Sequence, residues 1–192
     1  MIIELTEEQT EIAEMMAGWL ENRPVYLDTE TTGLGDDDKI VEISIVDNDG
    51  VVLFDTLVNP EMPIPDQASS IHGITDEMVK DAPRFVELAE RIWGIVDDRQ
   101  VIIYNAKYDT KMIAQSGAPF LATKLAKESE CAMNAYAVFN GEWNDYHGNY
   151  RWVRLSDAAQ MSGVELPENL HRAKADAELT RRVVQYVGGL KK

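Results

Sequence analysis

Val25-Tyr26-Leu27-Asp28-Thr29-Glu30-Thr31-Thr32-Gly33 decides how the rest of the chain is read. Three apolar residues after the helix-breaking Asn22-Arg23-Pro24 read as a short buried strand that delivers Asp28 at its C-terminal end. Side chains two apart on extended backbone point to one side, so Asp28 and Glu30 share a face if the extended geometry continues. Two such carboxylates make a hard-oxygen site suited to Mg²⁺ or Mn²⁺. A solvated strand-to-loop transition would use the same residues, and this motif alone does not choose between the two.

Working outward, residues 6–21 predict an amphipathic helix. Thr6 is its N-cap, Gln9 stands at the capping-box position, and Ile12, Met15, Met16, Trp19 and Leu20 share one face opposite an acidic one. On the other side a loop with Gly33 and Gly35 follows. Residues 39–47 alternate as a strand, Asn48-Asp49-Gly50 signals a turn, and Val51 to Val58 returns as the hairpin partner. Asn59 to Pro65 is a loop. Ala82-Pro83 opens a helix over 84–96 with Phe85, Leu88, Ala89 and Ile92 inward. Gln100 to Tyr104 is another strand and residues 107–115 look helical. A short strand or turn near Cys131 leads into Ala132 to Phe139, Gly141 to Tyr150 is a loop rich in aromatic residues, and helices at 155–161 and 173–187 follow. Strands paired first as a hairpin and later separated by helices imply a mixed sheet covered by helices, an α/β class.

With 192 residues, 45% of them hydrophobic, the chain can bury one sizeable core, and residues 1–192 read as a single domain without repeats or linkers. The single cysteine, Cys131, has no internal disulfide partner. Met1-Ile2-Ile3-Glu4 lacks the basic, apolar pattern of a secretory signal, so the cytoplasm is the expected compartment. No apolar run approaches the roughly 20 residues that cross a bilayer. The net charge of −16 argues against a nucleic-acid partner, but it is one-sided: residues 1–99 carry −18 and residues 100–192 carry +2. Carboxylates that hold divalent cations also turn locally positive, which gives a phosphate its first contact.

Two further segments carry chemistry. Tyr104-Asn105-Ala106-Lys107-Tyr108-Asp109 follows a strand and puts Asp109 in the first turns of a helix, either as a third ligand or as ordinary helix-dipole chemistry. His171-Arg172-Ala173-Lys174-Ala175-Asp176 puts a histidine before a helix and an aspartate inside it, where both can face one pocket. Three other features read as structure. His72, before Gly73 in a loop, is a hydrogen-bonding residue rather than a base, and His147 is a loop-surface residue. Asp36-Asp37-Asp38 is a solvated tip. Trp143, Tyr146, Tyr150 and Trp152 form either a stacking platform for single-stranded bases or their own loop's small core. The nucleophile loop of haloacid-dehalogenase-like phosphatases, Asp-x-Asp-x-Thr, also follows a strand, but Glu30 stands where its second aspartate should be.

Taken together and in order, the three segments resemble the three motifs of the DEDDh 3′-5′ exonucleases, the group that includes bacterial proofreading subunits and ribonuclease T. Ser70-Ile71-His72-Gly73-Ile74-Thr75 resembles the family's His-Gly-Ile-Thr segment, and the likeness covers about residues 24–187. The resemblance implies a ribonuclease H-like fold, with the helix at 6–21 outside the family core as a cover for the sheet. It implies that Asp28, Glu30, Asp109 and Asp176 hold two divalent cations, Mg²⁺ or Mn²⁺, and that His171 is the general base. An imidazole, with an unperturbed pKa near ~6.5, suits that role near neutral pH. Two ions roughly 4 Å apart would orient the attacking water and stabilise the leaving 3′ oxygen, releasing 5′-mononucleotides. Thr29, Thr31, Thr32 and Leu34 are then substrate-binding, Leu34 by packing on the terminal base, and Asn105 shapes the pocket. The implied partner is a single-stranded nucleic-acid 3′ end, together with a polymerase or another DNA- or RNA-processing protein. Tyr104 and Tyr108 stand where many relatives have His and Phe, which bears on substrate detail only. A catalytically silent binding module of the same fold and a metal-dependent phosphatase using Asp28 are the competing readings.

Overall fold

The computed structural model describes residues 4–191. Met1 to Ile3, part of the stretch read above as lacking a secretory signal, lie outside the described residues. The helix α1 (Glu7–Glu21) begins at Thr6, whose hydroxyl accepts from Gln9 N–H at 3.2 Å while the Gln9 side chain takes the Thr6 N–H at 3.0 Å. Its buried face is Ala13, Met16, Ala17 and Trp19; Met15, expected inward, is exposed. The small residues let α1 approach its neighbours closely, so the contact stripe is narrower than apolarity alone suggests.

The strands are β1 (Val25–Thr31), β2 (Ile40–Asp47), β3 (Val52–Leu57), β4 (Val101–Ile103) and β5 (Glu130–Cys131), in the order β3-β2-β1-β4-β5. The pairs β1–β2 and β2–β3 are antiparallel, whereas β1–β4 and β4–β5 are parallel, the mixed sheet expected. β1 does not stop at Leu27. It runs through Thr31, so Asp28 and Glu30 sit on paired, extended backbone in the middle of the sheet.

Period-two alternation along β1 sorts its side chains into two layers. Val25 and Leu27 enter a core built with α4 (Phe85–Val96), α5 (Ala106–Gln115) and α6 (Pro119–Glu128). Tyr26 faces the opposite way, into a core shared by α1, α7 (Ala132–Asn140), α8 (Leu155–Met161) and α9 (Ala173–Gly188). Asp28 and Glu30 have Tyr26's parity and therefore meet α9.

Several elements carry no strong sequence signal. Two short helices, designated α2 (Asp66–His72) and α3 (Asp76–Val79), follow the Asn59–Pro65 loop, and with Ile64 and Ile74 they bury Val41 of β2. α6 was not expected either. His72 closes α2 rather than lying in a loop. The aromatic loop is a hairpin, β6 (Trp143–Asn144) paired with β7 (Asn149–Tyr150). Among the described residues no helix is long and apolar enough to cross a membrane.

Candidate active site

The carboxylates of Asp28, Glu30 and Asp176 offer oxygens that all lie within 4.8 Å of one another. Two come from β1 by alternation, and the third comes from the first turns of α9. Asp109 does not join this group. It stands at the start of α5, in the other layer, 3% exposed, and its Oδ1 accepts a hydrogen bond from Thr29 Oγ1 at 2.8 Å.

Burial is the main cause of raised proton affinity at all four acids, and mutual repulsion adds to it at Asp28 and Glu30. Asp28 is held well above the usual carboxylate range, by desolvation first and then by Asp109, Asp176 and Glu30. Glu30 is pushed up to about 8 by burial and by Asp176, Glu42 and Asp109, with Arg172 opposing. Asp109 is raised to about 7 by burial, partly offset by the Thr29 hydroxyl. Asp176 is raised by burial and lowered again by His171. Acids so placed ionise together only when a cation compensates them. An all-oxygen, anionic donor set of this spacing fits a hard divalent ion.

His171 precedes α9 with a left-handed backbone, φ 63°. Its Nδ1 lies 3.9 Å from Asp176 Oδ2, its backbone N–H points to Asp176 Oδ1 at 3.4 Å, and its side chain is 57% exposed. Asn105, the N-cap of α5, is also left-handed, φ 70°. Both line one cleft of about 390 Å³ with Tyr104, Trp152, Arg154 and Asp176. Non-glycine residues adopt this conformation at a cost, and two of the four that do so among the described residues border this cleft.

A second cleft, of about 550 Å³, lies on the Glu30 side and is lined by Thr29, Thr31, Thr32, Leu34, His72 and Tyr108 among others. Leu34 is 80% exposed at its edge. Hydrogen bonds fix its wall: Thr31 Oγ1 meets Tyr108 Oη at 2.5 Å, and Tyr108 Oη donates to Gly33 O at 2.9 Å. Thr32 Oγ1 donates to Asp38 Oδ1 at 2.6 Å and Gly35 N–H to Asp38 Oδ2 at 2.7 Å. Asp38 is thus the clasp of the loop, not a solvated tip, and a Cβ on Gly33 would meet its Oδ2 at 2.6 Å. His72, 5% exposed, accepts from Ile74 N–H through Nδ1 at 3.0 Å, so Nε2 carries the proton and donates to Thr31 O at 3.2 Å.

Sequence reasoning missed Glu42 and Arg172. Glu42 lies opposite Glu30 in the β1–β2 register and is 4% exposed. The Arg172 guanidinium grips both its oxygens, and Ala173 N–H donates to Oε2 at 2.9 Å, which pins the start of α9 to β2. One charge inside Ile40-Val41-Glu42-Ile43-Ser44-Ile45-Val46 was the available signal.

A five-stranded mixed sheet of this order, with two acids of its central strand meeting one from the flanking helix α9, defines a ribonuclease H-like nuclease. Residues 25–184 match the RNase_T family, described as Exonuclease, and the chain belongs to that family. The uncharacterized exonuclease CP81 of Escherichia phage 186 is 40% identical over 179 residues, which cover 90% of this chain and 92% of that one. DNA polymerase III subunit epsilon of Rickettsia conorii is 30% identical over 179 residues, 87% of this chain and 74% of the subunit. Among solved structures, Exonuclease X in complex with 5′ overhanging duplex DNA superimposes with a TM-score of 0.62 at 27% identity, over 86% of this chain and 92% of that chain. The zinc-bound E. coli ExoI–ssDNA complex shares the fold, with a TM-score of 0.68 at 16% identity over 87% of this chain and 41% of that chain. The resemblance to the DEDDh exonucleases and the ribonuclease H-like fold are thereby borne out, and the enzyme is an exonuclease. The phosphatase reading is not favoured.

Proposed function

We propose that this exonuclease acts in the 3′-5′ direction on single-stranded nucleic-acid ends, with Asp28, Glu30, Asp109 and Asp176 holding two divalent cations, Mg²⁺ or Mn²⁺, and His171 as general base. The observation that carries the proposal is the meeting, within 4.8 Å, of carboxylates from positions as far apart as 28 and 176, with His171 beside the last of them. Bound divalent cations would supply charge compensation for these acids and for the scissile phosphate. His171, open to solvent and next to Asp176, takes the proton of the attacking water, and Asp176 stabilises the imidazolium that results. Water attacks phosphorus in line, the P–O3′ bond breaks with its electron pair going to O3′ of the shortened strand, which takes a proton from solvent, and a 5′-mononucleotide leaves. Thr29 acts on the centre by orienting Asp109. Thr31, Thr32 and Leu34 form the wall against which the terminal nucleotide rests, Leu34 under its base, while Asn105 shapes the opposite cleft.

Residues 1–192 are taken as one exonuclease unit, α1 covering α7 and α9 outside the part that matches the family. The single Cys131 fits a cytoplasmic setting. A related chain is itself a polymerase subunit, so a polymerase is the first partner class to test. A 5′-labelled oligonucleotide with Mg²⁺ should give a ladder that shortens from the 3′ end. Intact strand in both Mg²⁺ and Mn²⁺ would reject the proposal in favour of a silent binding module, and matched DNA and RNA strands would rank the substrates.

A further inference from the structure

An exposed ring, Trp152, lines the His171 cleft, the β6–β7 hairpin just before it in sequence carries two more, Trp143 and Tyr146, and the hydrolytic reading uses none of them. Trp143 and Tyr150 face each other across the β6–β7 hairpin with ring centroids 5.1 Å apart at 85°. Arg151 N–H donates to Glu142 O at 2.8 Å and adds a rung to that ladder. The Tyr150 hydroxyl lies 2.8 Å from both Glu8 carboxylate oxygens and so ties the hairpin to α1. With Tyr150 engaged, Trp143 is 53%, Trp152 65% and Tyr146 89% exposed. The hairpin is therefore not a small core of its own: rings this open give up most of the stabilisation that burial provides.

Position gives the rings a purpose. Trp152 lines the cleft together with His171, Asp176 and Asn105. Arg154 lines it as well and, among the described residues, forms no ion pair, in a chain of net charge −16. Arg151 nearby is held by Glu142 at 2.9 Å. The acid cluster thus has the Thr31–Leu34 cleft on one flank and the Trp152–Arg154 cleft on the other.

We infer that Trp152 and Arg154, extended by Trp143 and Tyr146 on the hairpin, form a ledge for the unpaired nucleotides just upstream of the scissile bond. The inference rests on the 3′-end hydrolysis proposed above and deepens it. With the terminal nucleotide in the Thr31–Leu34 cleft, the rest of the strand leaves across the other flank. Indole and phenol faces there stack on bases of any identity, and Arg154 meets a phosphate. Duplex keeps its base faces inside the helix, so the ledge selects ends with several unpaired nucleotides.

The test compares two substrates in Mn²⁺: a 5′-labelled single strand of about a dozen nucleotides, and the p-nitrophenyl ester of thymidine 5′-monophosphate, which is too short to reach the hairpin. Trp152→Ala should raise KM for the strand roughly tenfold, the scale of one lost base–aromatic stack, and lower the strand-to-ester ratio of kcat/KM by a similar factor. Trp152→Phe, which keeps a ring, should recover most of that ratio, and the Trp143→Ala/Tyr146→Ala pair should lower it in the same direction. If the ratio is unmoved in every variant, or falls equally in Trp152→Ala and Trp152→Phe, the ledge is overturned while 3′-end hydrolysis stands. Failure of the unaltered protein on both substrates overturns the hydrolytic reading and the ledge with it.

Discussion

The two sides of the acid cluster are built differently. On the α5 side everything is locked: Asp109 is 3% exposed and bonded to Thr29, Tyr108 joins Thr31 to Gly33, and Asp38 clasps the loop. On the α9 side Arg172 is anchored through Glu42, yet His171, one residue earlier, is left-handed and more than half exposed, with no side-chain hydrogen bond among the described residues. On the proposed function the contrast has a use: Asp109, a proposed cation ligand, is fastened by a buried hydrogen bond, and His171, the proposed base, is left open to water.

The largest expected effect comes from the acid cluster between the two sides. Asp28→Asn should lower turnover by on the order of 10⁴-fold or more, because the carboxylate that the other three acids all repel is gone. It should also raise the melting temperature of the metal-free protein by relieving a buried, repelled charge. A variant that is both inactive and less stable would break the contrast. On the open side, His171→Ala should cost about 10²–10⁴-fold in kcat, the usual contribution of a general base, while leaving the Mg²⁺-induced rise in melting temperature largely in place. Loss of that rise would move His171 into the cation-binding set.

A pH series on metal-free protein comes next. Glu30 and Asp109, raised to about 8 and about 7, keep protons in the folded state that the unfolded chain loses near pH 4. The folded state therefore binds more protons, and stability falls as pH rises from about 4 towards 8, by up to ~1.4 kcal/mol per pH unit for each retained proton. Saturating Mg²⁺ should flatten the fall, which urea titrations at several pH values would read. Arg172→Gln, which strands the Glu42 carboxylate, should cost about 2–3 kcal/mol in urea unfolding, less than a fully buried pair because the arginine is partly open. The smallest effect belongs to Thr29→Val: about 1 kcal/mol of stability and a severalfold loss of kcat/KM through a loosened Asp109, with His171 function unchanged in the pH–rate profile.

What was legible in the sequence was what a short window encodes. Asp28 and Glu30 share a face because they are two apart in a strand, and the capping box at Thr6 and the hairpin at Asn48-Asp49-Gly50 carry their own signals. What was not legible depends on two distant segments at once. Nothing local says that Thr29 will bond Asp109 across 80 positions, or that Arg172 will seek Glu42 across 130. The left-handed backbone at His171 had no local signal either, although histidine is among the residues that adopt it more readily than most. α6 starts with Pro119 but has a short amphipathic run, and its neighbours α2 and α3 span only 7 and 4 residues, too short for periodicity to speak.

Gly188 of α9 packs so closely on α1 that a Cβ there would meet Leu20 Cδ1 at 2.8 Å and the Ala17 backbone nitrogen at 3.0 Å. These helices are neighbours in space and remote along the chain, so their docking is a non-local closure of the kind that slows folding. A ribosome that has extruded the chain only through α8 has already released Asp28, Glu30 and Asp109 but neither His171 nor Asp176. On the proposed function, a copy extruded only that far lacks two of the five proposed catalytic groups, and hydrolysis waits for α9.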